Sequence, residues 1–508
     1  MKDKSGTASK CIVVFDVGKT NQKILVYDQQ LSVIDSEYEA FSDIESDGIT
    51  QEDVISIITW FKNTMKAMSR NHDIGAISIT THGAAFTCLD KDGELVLPVV
   101  SYTYEPGDEF QEQFCREFGD PISLQRETAT PNYPGLGCIA KGIYFVQKEF
   151  PDRFVKTRSI LNLPQFYGYF LTGKKGIEPT YLGCTTFLWD FYSMGYSSMV
   201  DKLGIRTMLP VDILKPWDIL GTISPRVAEE TGLSVDTIVT LGIHDSNSAL
   251  LPYLVKMKES FVLDSTGTFC VAMHPSRDVS FKTDELGKYV FYNIDAFSNP
   301  VKTALFLGGM EFDIYMGIIS NIHGQKQYPA FSPELYEQIA THKELFIIPG
   351  GVTGGGMFPD SEAKVIEKGE EFSFDDIISG TRRPEFFNDF TLAYGVLNLS
   401  LAIESQVAMK SVGLDHDKSI YVEGGFHNND SYCALIKSLN PNSAVYLSGL
   451  NEATAFGAAL VGKCALEKKT PHDLGGYFEI ETQPVPLCSI EGLDAYMKRF
   501  LHYTGKDH

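Results

Sequence analysis

At 508 residues, 43% hydrophobic and 21% charged, the chain has the composition of a globular protein but is too long for one core; domains usually stop growing near about 250 to 300 residues, which predicts two of them. Its 66 acidic residues outnumber 43 basic ones, and the formal charge of −23 repels a phosphate backbone, so nucleic acid is excluded as an expected partner. No stretch approaches the roughly 18 uninterrupted apolar residues of a membrane span, the opening MKDKSGTASK has no apolar secretory stretch, and nine scattered cysteines without a Cys-x-x-Cys pair read as reduced thiols, so the expected compartment is the cytoplasm, with no membrane partner.

Residues 11 to 28, CIVVFDVGKTNQKILVYD, read as two strands joined by Gly18-Lys19-Thr20-Asn21, a β-hairpin. Gly18-Lys19-Thr20 is how a P-loop ends, but a P-loop also needs a glycine five residues before Gly18, in a link between a strand and a helix. That position is Val13, inside the strand, and Thr20 leads into a second strand, so the P-loop reading fails on both requirements. The alternative is a turn whose free N–H groups, with the Thr20 hydroxyl, form a nest for phosphate, while Asp16 at the strand end faces a metal held by that phosphate. An ordinary Gly-Asn hairpin turn has the same local sequence.

Farther along, Thr50 is placed to cap a helix with Asp53 as capping-box partner, and Val54, Ile57, Ile58, Phe61, Met65 and Met68 fall on one face. A strand, AISIT at 76 to 80, follows Gly75; hairpin, third strand, helix and strand make an α/β order. DTIVTLGIHD (236 to 245) reads as an apolar strand with a polar end, and SFVLDSTGTFCVAM (260 to 273) as another strand, turn and strand. VFDVGKT and VLDSTGT each combine an apolar strand, an Asp (Asp16, Asp264), a glycine-bearing turn and a Thr (Thr20, Thr268), 248 residues apart. The chain therefore reads as internally duplicated, with domains over 1–250 and 251–508. GGVTGGGMFPD (350 to 360) lacks the strand and helix context of a dinucleotide loop and reads as a mobile loop at a cleft edge. TLAYGVLNLSLAIESQVAMKSVG (391 to 413) reads as a long helix with an apolar stripe, stopped by Gly413. Strand SIYVEGG, a helix from about 430 to 439 halted by Pro441, strand AVYLSG and a small-residue helix over EATAFGAALVGKCA follow. No low-complexity linker divides the halves, which predicts that they pack around a cleft.

The Asp-x-Gly-x-Thr of the first hairpin and Ser265-Thr266-Gly267-Thr268 of the second resemble the two phosphate-binding hairpins of the FGGY carbohydrate kinases, members of the actin-like ATPase superfamily. The resemblance covers nearly the whole chain. LPQFYGYFLTG (163 to 173), Glu178 and YLGCTTFLWD (181 to 190) are similar to the Leu-Thr-Gly and Ser-Gly-Thr stretches of that family, and ITTHGAAFTCLDKDGELVLP (79 to 98) to its sugar-side strand, loop and strand. GIHDSNSALL is similar to the catalytic Gly-x-x-Asp-x-x-x-Ala block, and EGGFHNND with NEATAFGAAL to the adenosine block and the Glu-x-x-Ala-x-Gly-Ala-Ala after it. DVGKTN is shared in kind with members acting on deoxyketoses.

The resemblance implies an α/β fold of two RNase H-like, actin-like ATPase domains with an interdomain cleft, and an ATP-dependent kinase of a ketose such as L-fuculose, L-rhamnulose or xylulose. Phosphoryl transfer to a sugar hydroxyl needs positioning, charge neutralisation and a group to take the hydroxyl proton. Asp245, after an apolar strand and before a helical stretch, lies at a strand C-terminus where α/β clefts open and is the expected base, although Asp before a helix is more commonly a cap. His244 beside it reads as structural. Asp16 is expected to hold Mg2+ through water, and Gly18, Lys19, Thr20, Thr266, Gly267 and Thr268 to cradle phosphate. Lys19 departs from the family's small hydroxyl residue, and its side chain either reaches a phosphate or lies in solvent. Gly424 and Gly425, with Asn428, are expected against the adenosine, although Phe426 replaces the family's third glycine. His82, Gly83 and Ala84 occupy the sugar-side loop, and Tyr102 and Glu105 lie in the segment that replaces the family's Trp-Asn-Asp-Gly-Arg, which leaves open a kinase of another polyol, such as glycerol or a pentitol. A nucleotide-driven switch protein of the actin or chaperone type is the reading from another class. A homodimer is compatible with the resemblance.

Overall fold

The computed structural model describes residues 10–324, 327–350, 356–359 and 361–505. The first half opens with the hairpin β1 (Cys11–Val17) and β2 (Asn21–Tyr27), extended by β3 (Val33–Ala40). Every residue of β1 is buried, which explains why CIVVFDV shows no alternation: both faces of the strand are covered. β1 runs antiparallel to β2, with Asp16 opposite Lys23, and parallel to β4 (Ile74–Thr81) on its other side. Between β3 and β4, helix α1 (Val54–Met68) buries Val54, Ile57, Ile58, Phe61, Met65 and Met68, the face its periodicity predicts. Its cap differs from the expected one. Asp53 accepts the Ser56 N–H at 3.0 Å, while Thr50 lies in a short strand, Ile49–Gln51, where its carbonyl takes the Ser101 N–H. Asp caps as well as Thr does, so the residue nearest the first turn prevails.

Helices α2 (Leu163–Thr172) and α3 (Pro179–Leu182) precede β5 (Ile219–Thr222), β6 (Ile238–Thr240) and β7 (Ile243–His244). These complete a seven-stranded sheet in the order β5-β6-β4-β1-β2-β3, with β7 also paired to β4. The single strand expected over 236–245 is broken because Gly242 turns to φ +86°, where an added Cβ would stand 2.8 Å from the Ile79 carbonyl oxygen. Only glycine tolerates both the torsion and the approach.

After α4 (Asp245–Lys256) the pattern recurs. The second half runs β8 (Phe261–Thr266), β9 (Cys270–Pro275), β10 (Val290–Ile294), β11 (Pro300–Phe306), α5 (Gly308–His323), α6 (Phe390–Ser411), β12 (Ser419–Gly424), α7 (Asp430–Leu439), β13 (Val445–Ser448), α8 (Ala453–Glu467) and β14 (Thr482–Pro484). These seven strands form one sheet in the order β10-β11-β9-β8-β12-β13-β14, and three further strands, Leu345–Ile348, Lys364–Glu367 and Glu370–Ser373, pair in a separate sheet. In both sheets the hairpin's first strand lies antiparallel to its second and parallel to the strand that follows the helical crossover. This is the duplication that VFDVGKT and VLDSTGT announce.

α6 departs from the expected single stripe, being buried nearly all round. By length and composition it passes for a membrane span, with a mean hydropathy of 1.2 over a window that is 100% buried inside the protein. Two of its buried polar side chains find partners inside the lobe: Asn398 donates to the Tyr394 carbonyl at 2.9 Å and Ser405 meets the Tyr432 hydroxyl at 2.6 Å.

The two halves exchange their closing helices. α4 packs Leu250 and Tyr253 on Phe261, Leu263, Met273 and Val301 of the second sheet, while α8 packs Ala455, Phe456 and Ala459 on Ile12, Val14, Leu25 and Tyr27 of the first. The helices touch at Gly457, whose added Cβ would stand 1.8 Å from the Ser248 carbonyl oxygen. Ser248 Oγ donates to the Thr454 carbonyl across the same seam at 2.7 Å.

Glu423, near the end of β12, is buried with its Oε2 3.2 Å from the Tyr253 hydroxyl of α4. Burial pushes its carboxyl from 4.5 up to about 7. The native state then keeps a proton that the unfolded chain releases, so this group's contribution to stability is full below about pH 4.5 and declines as pH rises toward 7. Glu423→Gln is therefore expected to gain on the unmutated protein between pH 5 and 8, by on the order of 3 kcal/mol at about 1.4 kcal/mol per unit. Thermal unfolding of both proteins across that range checks it; parallel pH profiles would contradict it.

Candidate active site

The C-terminal ends of β1, β4 and β7 converge on one carboxylate. Asp16, inward on β1, is 5% exposed, faces Lys23 across the hairpin and lies level with Thr80 on β4. Burial raises its carboxyl to about 7; Lys23 draws it down, and Asp245 and Glu452 push it up. Among the described residues no side-chain hydrogen bond reaches Asp16. A buried carboxylate without a donor, in an acidic setting, is the oxygen-ligand chemistry a hard divalent cation takes. The residues therefore fit Mg2+ held largely through water and phosphate. Lys23 pairs with Glu452, which immediately precedes α8 in the other half. Lys23 belongs to no motif, yet the register of a hairpin over 11–28 already sets it opposite Asp16.

Asp245 is the first residue of α4, with His244 as the residue that caps it, so Asp245 lies inside the helix and not at its cap. Its Oδ1 accepts the Ser246 N–H at 2.6 Å and lies 3.3 Å from His244 Nε2. Oδ2 has no such partner among the described residues, and the side chain is 33% exposed. One oxygen is held and the other is left without a partner among the described residues, the arrangement a proton acceptor needs.

His244 is buried, and burial pulls its pKa down, toward the neutral ring. Its backbone N–H donates to Thr180 Oγ1 at 3.0 Å and its ring packs on Tyr181 at 5.6 Å. Glu178 caps α3 by accepting the Thr180 and Tyr181 N–H groups at 2.7 and 2.9 Å. The Tyr181 hydroxyl, in turn, donates to the Ala85 carbonyl at 2.9 Å and accepts its N–H at 3.0 Å. This chain of bonds fixes the loop Gly83–Ala84 beside Asp245's helix. An added Cβ on Gly83 would stand 2.8 Å from His244 Nε2, and Ala84 takes φ +59°. His82, Gly83 and Ala84 thus lie in a loop against His244, the residue before Asp245.

His82 is buried with Nδ1 2.9 Å from the Gly83 carbonyl and Nε2 3.2 Å from Glu52. Burial opposes its charge, yet the Glu52 carboxylate raises its pKa overall. The Tyr102 ring lies 5.7 Å from that of His82. Glu105 is exposed and lies against Gly135. Lys19 does not extend into solvent; its ammonium bonds Asp43, Glu52 and Ser101. Thr20 is exposed at the turn, and Gly18 donates its N–H to the Asn21 carbonyl at 3.1 Å.

The second hairpin is built by close backbone approaches. Thr266 ends β8, and Gly267 and Thr268 are exposed in the turn. An added Cβ at Gly309, in the first turn of α5, would stand 2.0 Å from the Gly267 carbonyl oxygen, and one at Gly424 (φ +80°) would stand 1.9 Å from that of Thr266. The exposed Gly424 and Gly425 therefore lie against this turn, with Asn428 exposed beyond them. Thr266 Oγ1 accepts the Phe426 N–H at 2.9 Å. Phe426 is buried in the lobe, its ring against those of Phe312 and Tyr432 at 5.3 and 4.9 Å. Asp264, the counterpart of Asp16, accepts the Tyr432 hydroxyl at 2.7 Å, and burial raises its carboxyl to about 6. The repeat thus retains one free carboxylate and ties up the other. Of the glycine-rich stretch 350–360, residues 351–355 and 360 lie outside the described residues; the Gly350 and Met357 N–H groups donate to Glu311 and Glu404.

Comparison with known proteins identifies the family of both halves. Residues 11–252 match the model of the N-terminal domain of the FGGY family of carbohydrate kinases, and residues 258–471 that of the carbohydrate kinase FGGY C-terminal domain. A rhamnulokinase of Halalkalibacterium halodurans is 26% identical over 258 residues, 50% of this chain and 54% of that protein. An L-fuculokinase of Salmonella typhi is 24% identical over 289 residues, 55% and 59% respectively. The chain thus spans about half the length of these curated relatives. The crystal structure of a carbohydrate kinase from Novosphingobium aromaticivorans matches with a TM-score of 0.78 at 25% identity, over 98% of this chain and 99% of that one.

Proposed function

The chain belongs to the FGGY family of carbohydrate kinases, and from that premise we propose that it transfers the γ-phosphoryl group of ATP to a hydroxyl of a ketose of the L-rhamnulose, L-fuculose or xylulose kind. The observation that carries the proposal is the meeting of Asp16, at the end of β1, and Asp245, directly after β7 at the start of α4, near enough for Asp245 to push the Asp16 carboxyl up. The names of the rhamnulokinase and L-fuculokinase relatives support a deoxyketose acceptor.

In this reading Asp245 Oδ2 takes the proton of the acceptor hydroxyl while Ser246 and His244 hold Oδ1. The turn amides of the two hairpins, with Thr20 and Thr268, hold the phosphates, and Gly424, Gly425 and Asn428 face the adenosine; the Thr266 hydroxyl, expected there too, is buried and spent on the Glu423 carbonyl and the Phe426 N–H. Asp16 would hold Mg2+ through water, and the bound ion would supply positive charge to offset that of the phosphates. Lys23, opposite Asp16, adds a fixed positive charge on the same wall. His82, Gly83, Ala84, Tyr102 and Glu105 face the acceptor. Closure of the lobes along the α4–α8 seam excludes water, which otherwise competes as acceptor.

A coupled ADP-release assay of the purified protein across ketoses, aldoses and polyols tests the proposal. A ketose is expected to raise ADP release well above the acceptor-free rate. No response to any sugar or polyol overturns the kinase assignment, and a response confined to glycerol or a pentitol overturns the ketose.

A further inference from the structure

Lys19 sits in the turn of the first hairpin, yet its ammonium is fully engaged elsewhere. Nζ donates to Asp43 Oδ1 at 2.7 Å, Ser101 Oγ at 2.8 Å and Glu52 Oε1 at 3.2 Å. An ammonium has three protons, and here three acceptors take them. The network continues beyond Lys19. Glu52 spends its second oxygen on His82 Nε2 at 3.2 Å, and Ser101 Oγ lies 2.8 Å from Thr103 Oγ1. The Tyr102 ring is 5.1 Å from Lys19 Nζ and 5.7 Å from the His82 ring, so it lies against both the ammonium and the imidazole.

Burial makes this arrangement hard to undo. The Glu52 side chain is 5% exposed and that of His82 8%. Burial works against the Glu52 charge, but His82 and Lys19 together hold its carboxyl below the usual range. Turning the ammonium toward a phosphate strips a buried carboxylate of one of its two partners, a costly exchange. A second tether holds the turn in the same sense: Gln22 donates to the Gly18 carbonyl at 2.9 Å and accepts the Phe41 N–H at 3.1 Å. The hairpin turn is thereby fastened to the chain around 41–43, to Glu52 and to 101–103.

We propose that Lys19 is a positioning residue for the acceptor and not a phosphate ligand. It holds Glu52 and Tyr102, and through Glu52 the His82 ring, so that the acceptor wall and the phosphate turn move as one piece. The acceptor half of this inference rests on the kinase reading; the phosphate half does not.

The test uses the full chain with Lys19→Met, Lys19→Arg and Asp43→Asn, MgADP binding by calorimetry, and steady-state kinetics with the acceptor found in the screen. Lys19→Met is expected to raise the acceptor KM about tenfold or more while the MgADP Kd stays within about twofold, and Lys19→Arg to restore most of the acceptor affinity. Weakened MgADP binding with an unchanged acceptor KM overturns the proposal, as does failure of Arg to rescue. If Lys19→Met does not fold, Asp43→Asn is expected to raise the acceptor KM about threefold or more with MgADP binding unchanged, and an unchanged KM overturns it. If the unmutated protein phosphorylates nothing, the kinase reading falls, and MgADP binding by these variants still decides whether Lys19 touches phosphate.

Discussion

Replacing Asp245 by Asn is expected to lower kcat for acceptor phosphorylation by on the order of a thousandfold, within the range of about 10² to 10⁴ that a positioned general base contributes. Asn keeps the shape of the side chain. Its Oδ1 still accepts the Ser246 N–H and still lies beside His244, so the start of α4 stays in place. Its amide nitrogen, set where the open Oδ2 was, donates protons and takes none. MgADP affinity is expected to stay close to that of the unmutated protein, because the phosphate turns are built elsewhere. Kinetics and calorimetry on one preparation check both halves. Retention of more than about a tenth of kcat removes Asp245 from the role of base.

Gly457→Ala carries the second large effect, and two principles disagree about its sign. Helix propensity alone favours Ala by about 1 kcal/mol. The seam says otherwise, since the new Cβ would stand 1.8 Å from the Ser248 carbonyl oxygen, 2.6 Å from its carbon and 2.8 Å from its Oγ. Two of those atoms are backbone, so relief requires α4 and α8 to part. Overpacking costs about 1 to 3 kcal/mol and occasionally more, and here each helix is also levered off the sheet of the opposite half, which deepens the loss. A net destabilisation of about 2 kcal/mol or more is expected, with the collision outweighing the propensity. Because Asp245 opens α4 within a turn of Ser248, kcat is expected to fall as well, by about tenfold or more. Gly476→Ala is the control: its added Cβ meets nothing within 4 Å, so its unfolding midpoint is expected to match that of the unmutated protein. Thermal unfolding of the three proteins separates the cases, and a Gly457→Ala protein as stable as the unmutated one means that the seam is not tight.

Much of the frame is legible in local chemistry. CIVVFDV and its four-residue turn mark a hairpin, the 3.6-residue spacing of Val54 to Met68 marks the buried face of α1, and the recurrence of Asp, turn and Thr marks the second lobe. Each of these depends on neighbours close in sequence. The break at Gly242 escapes because the Ile79 carbonyl that crowds it comes from another strand. The all-round burial of α6 escapes because an apolar stripe says which side is buried and nothing of what covers the rest.

The site divides along the same line. The sequence by itself determined the turns, the strand end that carries Asp16, the strand-to-helix step at Asp245, and the glycines beside them, because torsion limits and side-chain periodicity act within a few residues. Tertiary structure alone decided that Lys19 bonds Asp43, Glu52 and Ser101, that Lys23 pairs with Glu452 from the other half, that Asp264 is tied to Tyr432 while Asp16 stays free, and that α4 and α8 change lobes. The physical reason is range. A charge takes whichever partner packing brings within a few ångströms, and a buried helix face takes whichever sheet is left uncovered, and neither choice leaves a mark in the local order of residues.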